Sequence, residues 1–225
     1  GVKTIKLMTS LGYIVNIVKN TESGRTFISK GLVRTAQQKA IFNINLYKDL
    51  VADNEPLIGI EPSAILSFRD EYPDFVSGEL KESAVRIAKN ALMLDEFLLR
   101  EIDAGRIVKE QFTNDEKLIK LHGHCQQKVI ATTESTIRLL SFPANYLVEE
   151  IPSGCCGMAG SFGFEKEHYE ISMKVGELVL FPEVRKADEN TLIAAPGTSC
   201  RSQIKDGTGR DAVHPAEILY NALKI

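Results

Sequence analysis

Apolar residues in this chain alternate between short β-branched runs and longer stretches with helical spacing. Thr4–Leu11 puts Ile5, Leu7, Met8 and Leu11 on one side of a short helix, and Gly12 ends it. Tyr13–Val18 reads as a strand, and the polar stretch Asn20–Lys30, with breakers at Gly24 and Gly31, as a loop. Leu32–Val51 spaces Ala36, Ala40, Ile41, Ile44 and Leu50 as a long helix does. Pro56–Ile60 reads as a buried strand, and Glu61-Pro62-Ser63 turns into a helix ending near Tyr72. Ser83–Ile102 reads as one long helix with Val85, Ile87, Ala91, Leu92, Leu94, Leu98 and Leu99 inward, stopped by Asp103-Ala104-Gly105.

The second half repeats the alternation. Lys117–Leu121, Asn145–Ile151 and Thr191–Ala195 read as strands. Cys125–Leu140, Glu165–Phe181, a short helix from Cys200 and Pro215–Leu223 read as helices. Strands alternating with helices predict an α/β fold whose small parallel sheets are flanked by helices. The pattern also suggests a duplication: Thr4–Met8 matches Thr136–Leu140 at an offset of 132, and Ser23-Gly24 falls near Cys156-Gly157 at 133. Pro62-Ser63-Ala64 falls near Thr198-Ser199-Cys200 at 136. The expectation is therefore two tandem similar lobes, 1–110 and 111–225, with the first copy lacking cysteines and beginning inside its own repeat.

Composition narrows the classes. Hydrophobic residues make up 44% and charged residues 25%, which is ordinary for a soluble globular chain. A net charge of −3, without basic blocks interleaved with aromatics, gives no reason to expect nucleic acid as a partner. No apolar run approaches the roughly 18 residues that cross a bilayer. The expected location is cytoplasmic, with peripheral attachment to the inner face of the membrane as a variant of that reading.

The candidate chemistry lies in three segments: Leu121-His122-Gly123-His124-Cys125, Gly154-Cys155-Cys156-Gly157 and Thr198-Ser199-Cys200-Arg201. They hold all 4 cysteines, too few and too clustered for a disulfide scaffold. Each segment follows a predicted strand, and the carboxyl ends of neighbouring parallel strands open on one crevice. Thiolates with imidazole suit zinc or iron–sulfur clusters. Adjacent side chains diverge, so vicinal Cys155-Cys156 addresses two irons of a cluster more naturally than one tetrahedral ion. His122 and His124 alternate at a strand end, so one of them is expected to point into the site. The Gly157, Gly160 and Gly163 spacing lets the backbone wrap closely around sulfur, or cradles an anion. Arg201 could bind a carboxylate or dock a partner, whereas His168, His214 and Arg210 read as structural or solvated.

The spacing, with 29 residues between Cys125 and Cys155 and 43 between Cys156 and Cys200, resembles the cysteine-rich CCG domain. That domain occurs in duplicate in the cysteine-rich subunit of heterodisulfide reductase and in the iron–sulfur subunits of glycolate oxidase and anaerobic glycerol-3-phosphate dehydrogenase. The wording His122-Gly123-His124-Cys125, Cys155–Gly163, Gly197–Arg201 and His214-Pro215-Ala216-Glu217 is more similar still to the C-terminal iron–sulfur oxidoreductase region of FAD-linked 2-hydroxyacid dehydrogenases. Gly59–Ser63 and Arg69–Pro73 extend the resemblance into the first half. It implies a [4Fe–4S] cluster, non-cubane in heterodisulfide reductase, held by Cys125, Cys155, Cys156 and Cys200 with His122 or His124. It also implies FAD on a partner domain and not on this chain. Two positions depart from the pattern: the closing Cys-x-x-Cys reads Cys200-Arg201-Ser202-Gln203, and Gln126 stands where similar proteins often have His.

Three functions are therefore expected in order. The first is an electron-transfer domain that takes electrons from a flavin-bearing dehydrogenase and passes them to a quinone or another iron–sulfur protein, with no catalysis on substrate alone. The second is a zinc-bearing docking module without a redox role. The third, thiol–disulfide chemistry at Cys155-Cys156, ranks last because no Cys-x-x-Cys is present.

Overall fold

A computed structural model describes residues 1–19 and 22–224. The chain divides into two compact units, residues 17–94 and residues 1–16 with 95–225. The architecture is α/β, with small parallel sheets flanked by helices.

In chain order, α1 is Val2–Ser10, whose Leu7 and Met8 are buried. The unit of residues 17–94 begins with α2 (Arg25–Ser29) and α3 (Val33–Tyr47), which turns Ala36, Ala40, Ile44 and Tyr47 into the core. Strand β1 (Leu57–Gly59) leads into α4 (Pro62–Ile65), a 3-10 turn and α5 (Glu71–Asp74). Helix α6 (Gly78–Asn90) returns to β2 (Ala91–Met93), which pairs parallel with β1 from Leu57↔Ala91 to Gly59↔Met93. The ring of Phe68 packs edge-on to Tyr47 and against Tyr72, filling this unit's interior.

Then come α7 (Leu94–Asp103), β3 (Lys117–Leu121), α8 (Cys125–Ile130), α9 (Glu134–Leu140) and β4 (Tyr146–Glu150). After the Cys155–Phe164 loop follow α10 (Tyr169–Leu178), α11 (Leu180–Lys186), β5 (Leu192–Ala194), α12 (Thr198–Thr208), β6 (Ala212–Val213) and α13 (Pro215–Ala222). The four strands form one parallel sheet in the order β4-β3-β5-β6. Ile119, Leu121, Ile193 and Ala194 are buried in it, as continuous apolar strands of a parallel sheet should be. The chain leaves β3 toward β4 on one side and leaves β5 toward β6 on the other. The carboxyl ends of β3 and β5 therefore flank a topological switch point, where an open sheet leaves a crevice.

Several elements differ from the periodicity reading. Tyr13–Val18 forms no strand: Ile14 and Ile17 are 92% and 75% exposed, and β propensity without a pairing partner does not make a strand. Of the expected loop at Asn20–Lys30, Asn20 and Thr21 lie outside the described residues, and the later part forms the short α2. The run Ser83–Ile102 contains β2 in its middle, because a continuous apolar run such as Ala91–Leu94 satisfies a buried strand as well as a helix. Cys125–Leu140 is interrupted at Ala131–Thr133, where the Thr132 hydroxyl accepts from the Glu134 N–H and starts α9. Glu165–Phe181 divides at Val179, and the helix after Glu61 is three short pieces. The short strand β6 has no signal in the hydrophobic pattern.

Candidate metal centre

The register of the larger sheet places the three cysteine-bearing segments side by side. Leu121 pairs with Glu150 on one flank and Ala194 on the other. One residue on, the His122 N–H donates to the Ala194 carbonyl at 2.8 Å and the Ile151 N–H to the Leu121 carbonyl at 2.8 Å. The backbone thus delivers His122, the Ile151–Cys156 turn and the Ala195–Cys200 turn to one end of the sheet.

All four cysteines are free thiols; Cys156 and Cys200 are buried, Cys125 and Cys155 half-buried. The ligand-type atoms of His122, Cys156 and Cys200 lie within 4.8 Å of one another. Cys155 links this buried group to Cys125, because its sulfur interacts with the thiols of both Cys125 and Cys156. The thiols alternate in acidity. Hydrogen bonds from Cys125 and Cys156, and then from the Gly157 and Ala159 amides, hold Cys155 far below the usual thiol range. A hydrogen bond from Cys156 and the nearby His122 and His124 rings pull Cys200 down, against its burial. Their thiol partners are pushed up: Cys125 by Cys155 and then burial, Cys156 by Cys155 and Cys200 and then burial. Interacting sulfurs of this kind form a soft-donor set, and a bound cation would release their protons.

The two histidines separate. His122 is fully buried, and its Nδ1 lies 2.7 Å from Ser153 Oγ, while Nε2 is buried without a hydrogen-bond partner. Through its Nδ1, His124 instead accepts the Gln126 N–H at 3.2 Å and caps α8, while the other side of its ring stands against Gly197 and Cys200. His214 caps α13 in the same way through the Ala216 N–H. His168 stacks on Phe162 with ring centroids 4.0 Å apart.

The glycine-rich loop wraps sulfur. Gly157 has a φ of +103°, and its N–H donates to Cys155 Sγ at 3.3 Å. A Cβ at Gly157 would stand 2.1 Å from the Ser172 carbonyl, so the loop lies directly on α10. Gly163 packs as closely on Ser172 and Met158, and Gly160 turns with a φ of +72°. The Arg201 guanidinium donates to the Ala195 and Pro196 carbonyls and Thr198 Oγ1, bracing the turn before α12. Arg210 likewise laces the Ala187, Asp188 and Thr191 carbonyls, a role that solvation alone did not anticipate.

Sequence reasoning missed four supporting side chains. Gln203 is 3% exposed and donates to the Ser172 hydroxyl and carbonyl at 2.9 and 3.2 Å, tying α12 to α10 behind the loop. Gln127, on the Cys125 helix, donates to buried Asp95 at 3.2 Å, to Thr136 Oγ1 and to the Thr132 carbonyl. Burial raises the Asp95 carboxyl above its ordinary range. Ser153 is the fourth, and its only signal was a small polar residue two positions beyond the strand-end neighbour of His122.

Four sulfurs and an unpartnered buried imidazole nitrogen fit a thiophilic metal or an iron–sulfur cluster better than a hard cation. No family model matches the chain. It is 27% identical over 220 residues to the D-2-hydroxyglutarate dehydrogenase of Pantoea ananatis, covering 97% of this chain and 20% of that protein. To the corresponding enzyme of Pseudomonas putida it is 29% identical over 217 residues, covering 96% and 20%. To a subunit of the anaerobic glycerol-3-phosphate dehydrogenase of Escherichia coli it is 25% identical over 225 residues, covering 99% and 55%. The chain thus spans a fifth of the first two relatives and about half of the third.

Proposed function

We propose that this chain is the metal-bearing electron-transfer part of a flavin-linked dehydrogenase acting on a 2-hydroxy acid or glycerol 3-phosphate. The observation that carries the reading is the group at the β3/β5 switch point, where His122, Cys156 and Cys200 bring ligand atoms within 4.8 Å of one another and Cys155 leads from Cys156 toward Cys125. Five donors exceed the four positions of a tetrahedral ion, and half-buried Cys125 and Cys155 extend the buried group toward solvent. Such a set would suit the several irons of the cluster that the CCG resemblance implies. Cys125, Cys155, Cys156 and Cys200 would hold it, and it would supply one-electron chemistry. The Gly157 and Ala159 amides would tune its potential by donating to Cys155. The relatives are named as dehydrogenases, which supports a donor on a flavin-bearing domain or subunit and a downstream acceptor such as a quinone.

One observation favours a second reading. The compact His122, Cys156 and Cys200 group is the size of a single tetrahedral site, which suits zinc in a docking module. Metal and acid-labile sulfide analysis of the anaerobically purified protein tests both. Iron with sulfide and a broad visible absorption supports the first reading; stoichiometric zinc without sulfide supports the second. Absence of both metals after anaerobic loading counts against either.

As for location, no described helix is long and apolar enough to cross a membrane.

A further inference from the structure

We propose that Ser153 is a positioning residue that presents His122 Nε2 as a metal ligand beside Cys156 and Cys200. The inference rests on the metal reading above and deepens it. A neutral imidazole carries one proton, and the partner of one nitrogen fixes which lone pair the other offers. His122 Nδ1 lies 2.7 Å from Ser153 Oγ, and both residues are buried. The Ser153 hydroxyl also reaches the Ile151 carbonyl at 3.5 Å, a pure acceptor that can take only the hydroxyl hydrogen. In the tautomer we assign, the serine oxygen accepts from Nδ1–H at this 2.7 Å contact and Nε2 keeps its lone pair. A buried nitrogen without a partner is costly; Nε2 is buried with no hydrogen-bond partner, and the ring stands in the same small group as two sulfurs.

The serine is itself held rigidly. Its N–H donates to the Ile151 carbonyl at 2.7 Å, and its carbonyl accepts from Lys128 Nζ at 2.7 Å. Lys128 lies on the Cys125 helix and also pairs with Glu150 at 3.3 Å. The Ser153 turn thus ties the loop after β4 to the helix after β3, so the ring's orientation and the positions of the flanking cysteines are set together. His124 shows the alternative use of the same residue type: its Nδ1 is an acceptor for a helix N–H, which leaves it a cap.

The test uses the full-length gene product, loaded anaerobically with ferrous iron and sulfide, or with zinc alone. Ser153→Ala is expected to weaken metal retention against a competing chelator by about 10–100-fold, the usual effect of removing such a partner. Ser153→Thr, which keeps the hydroxyl, should restore most of it. In the reduced iron form, pulsed EPR should show a histidine nitrogen coupling that His122→Ala abolishes and Ser153→Ala perturbs. Matching thermal melts of the unloaded proteins separate positioning from misfolding. If wild type and both variants retain metal alike, with the same nitrogen coupling or none, the proposal is overturned while the metal reading stands. If the wild type binds neither iron nor zinc, both fall.

Discussion

The loop around Cys155 and the Glu22–Gly24 turn both lie beside buried side chains, yet they close their hydrogen bonds differently. In the turn, Tyr72 donates to the Ser23 carbonyl at 2.9 Å, and Asn43 donates to the Glu22 carbonyl at 3.1 Å and to Tyr72 at 2.9 Å. The Ser23 hydroxyl accepts from the Arg25 N–H at 3.3 Å. Two interior side chains thus fill the place with their own polar atoms. Around Cys155, Gln127, Gln203 and Arg201 bond the framework, and His122, Cys156 and Cys200 bring their ligand atoms within 4.8 Å of one another. One arrangement is a plug and the other a socket. The difference teaches that a soft-donor set is kept available where the surrounding amides bond backbone and hydroxyl groups.

The largest expected effect breaks the socket. Cys156 lies between Cys155 and Cys200, so Cys156→Ser replaces the linking soft donor by a neutral hydroxyl. Metal bound after anaerobic loading should fall to below about a tenth of wild type. Ser23→Ala, at the position the 133-residue offset aligns with Cys156, should leave metal content unchanged. Equal metal in both variants would erase the contrast.

A smaller effect sharpens it through backbone. Gly157 and Gly24 both have positive φ, +103° and +81°. Alanine at either site strains the chain by about 1–3 kcal/mol, seen as a lower unfolding midpoint. Gly157→Ala also drives a Cβ into the Ser172 carbonyl and must shift the N–H that holds Cys155, so metal content should fall with stability. In Gly24→Ala the neighbouring Ala36 carbonyl is 3.2 Å away, and only stability should fall.

How much of this was legible depended on which force set each feature. The strands β3, β4 and β5 were readable because short apolar runs bounded by turn residues have few alternatives in a parallel sheet. Their shared carboxyl edge then made the approach of Cys156 and Cys200 a matter of topology. Strand β2 was not readable, since Ala91–Met93 continues a helical pattern and only pairing with β1 decides it. Alternation said that His122 and His124 differ, but not which one groups with Cys156 and Cys200 and which one caps α8. That depends on Ser153 and on the α8 cap, which are contacts across the fold. Gln203, Gln127 and Asp95 were invisible for the same reason: a buried amide looks like any surface glutamine until its partner is known.

The smallest effect on metal should come from Tyr72→Phe, which opens the plug without touching the socket. The substitution removes a donor to the half-buried Ser23 carbonyl and an acceptor for buried Asn43, and should destabilise the chain by about 1–3 kcal/mol. It should also remove a pH dependence. Burial first, and then the nearby Tyr47 and Glu71, push the Tyr72 phenol up from 10.0 to about 12. The folded state therefore holds this proton more tightly than the unfolded chain. Its contribution is fully present below pH 10 and is lost as pH rises toward 12. Wild type should thus lose stability across that interval more steeply than Tyr72→Phe, by up to about 2–3 kcal/mol for a shift of this size. Denaturant unfolding of both proteins at several alkaline pH values reads the difference directly. Parallel curves would mean that the hydroxyl is not a buried plug, whereas converging curves with unchanged metal content would separate the two regions by chemistry as well as by geometry.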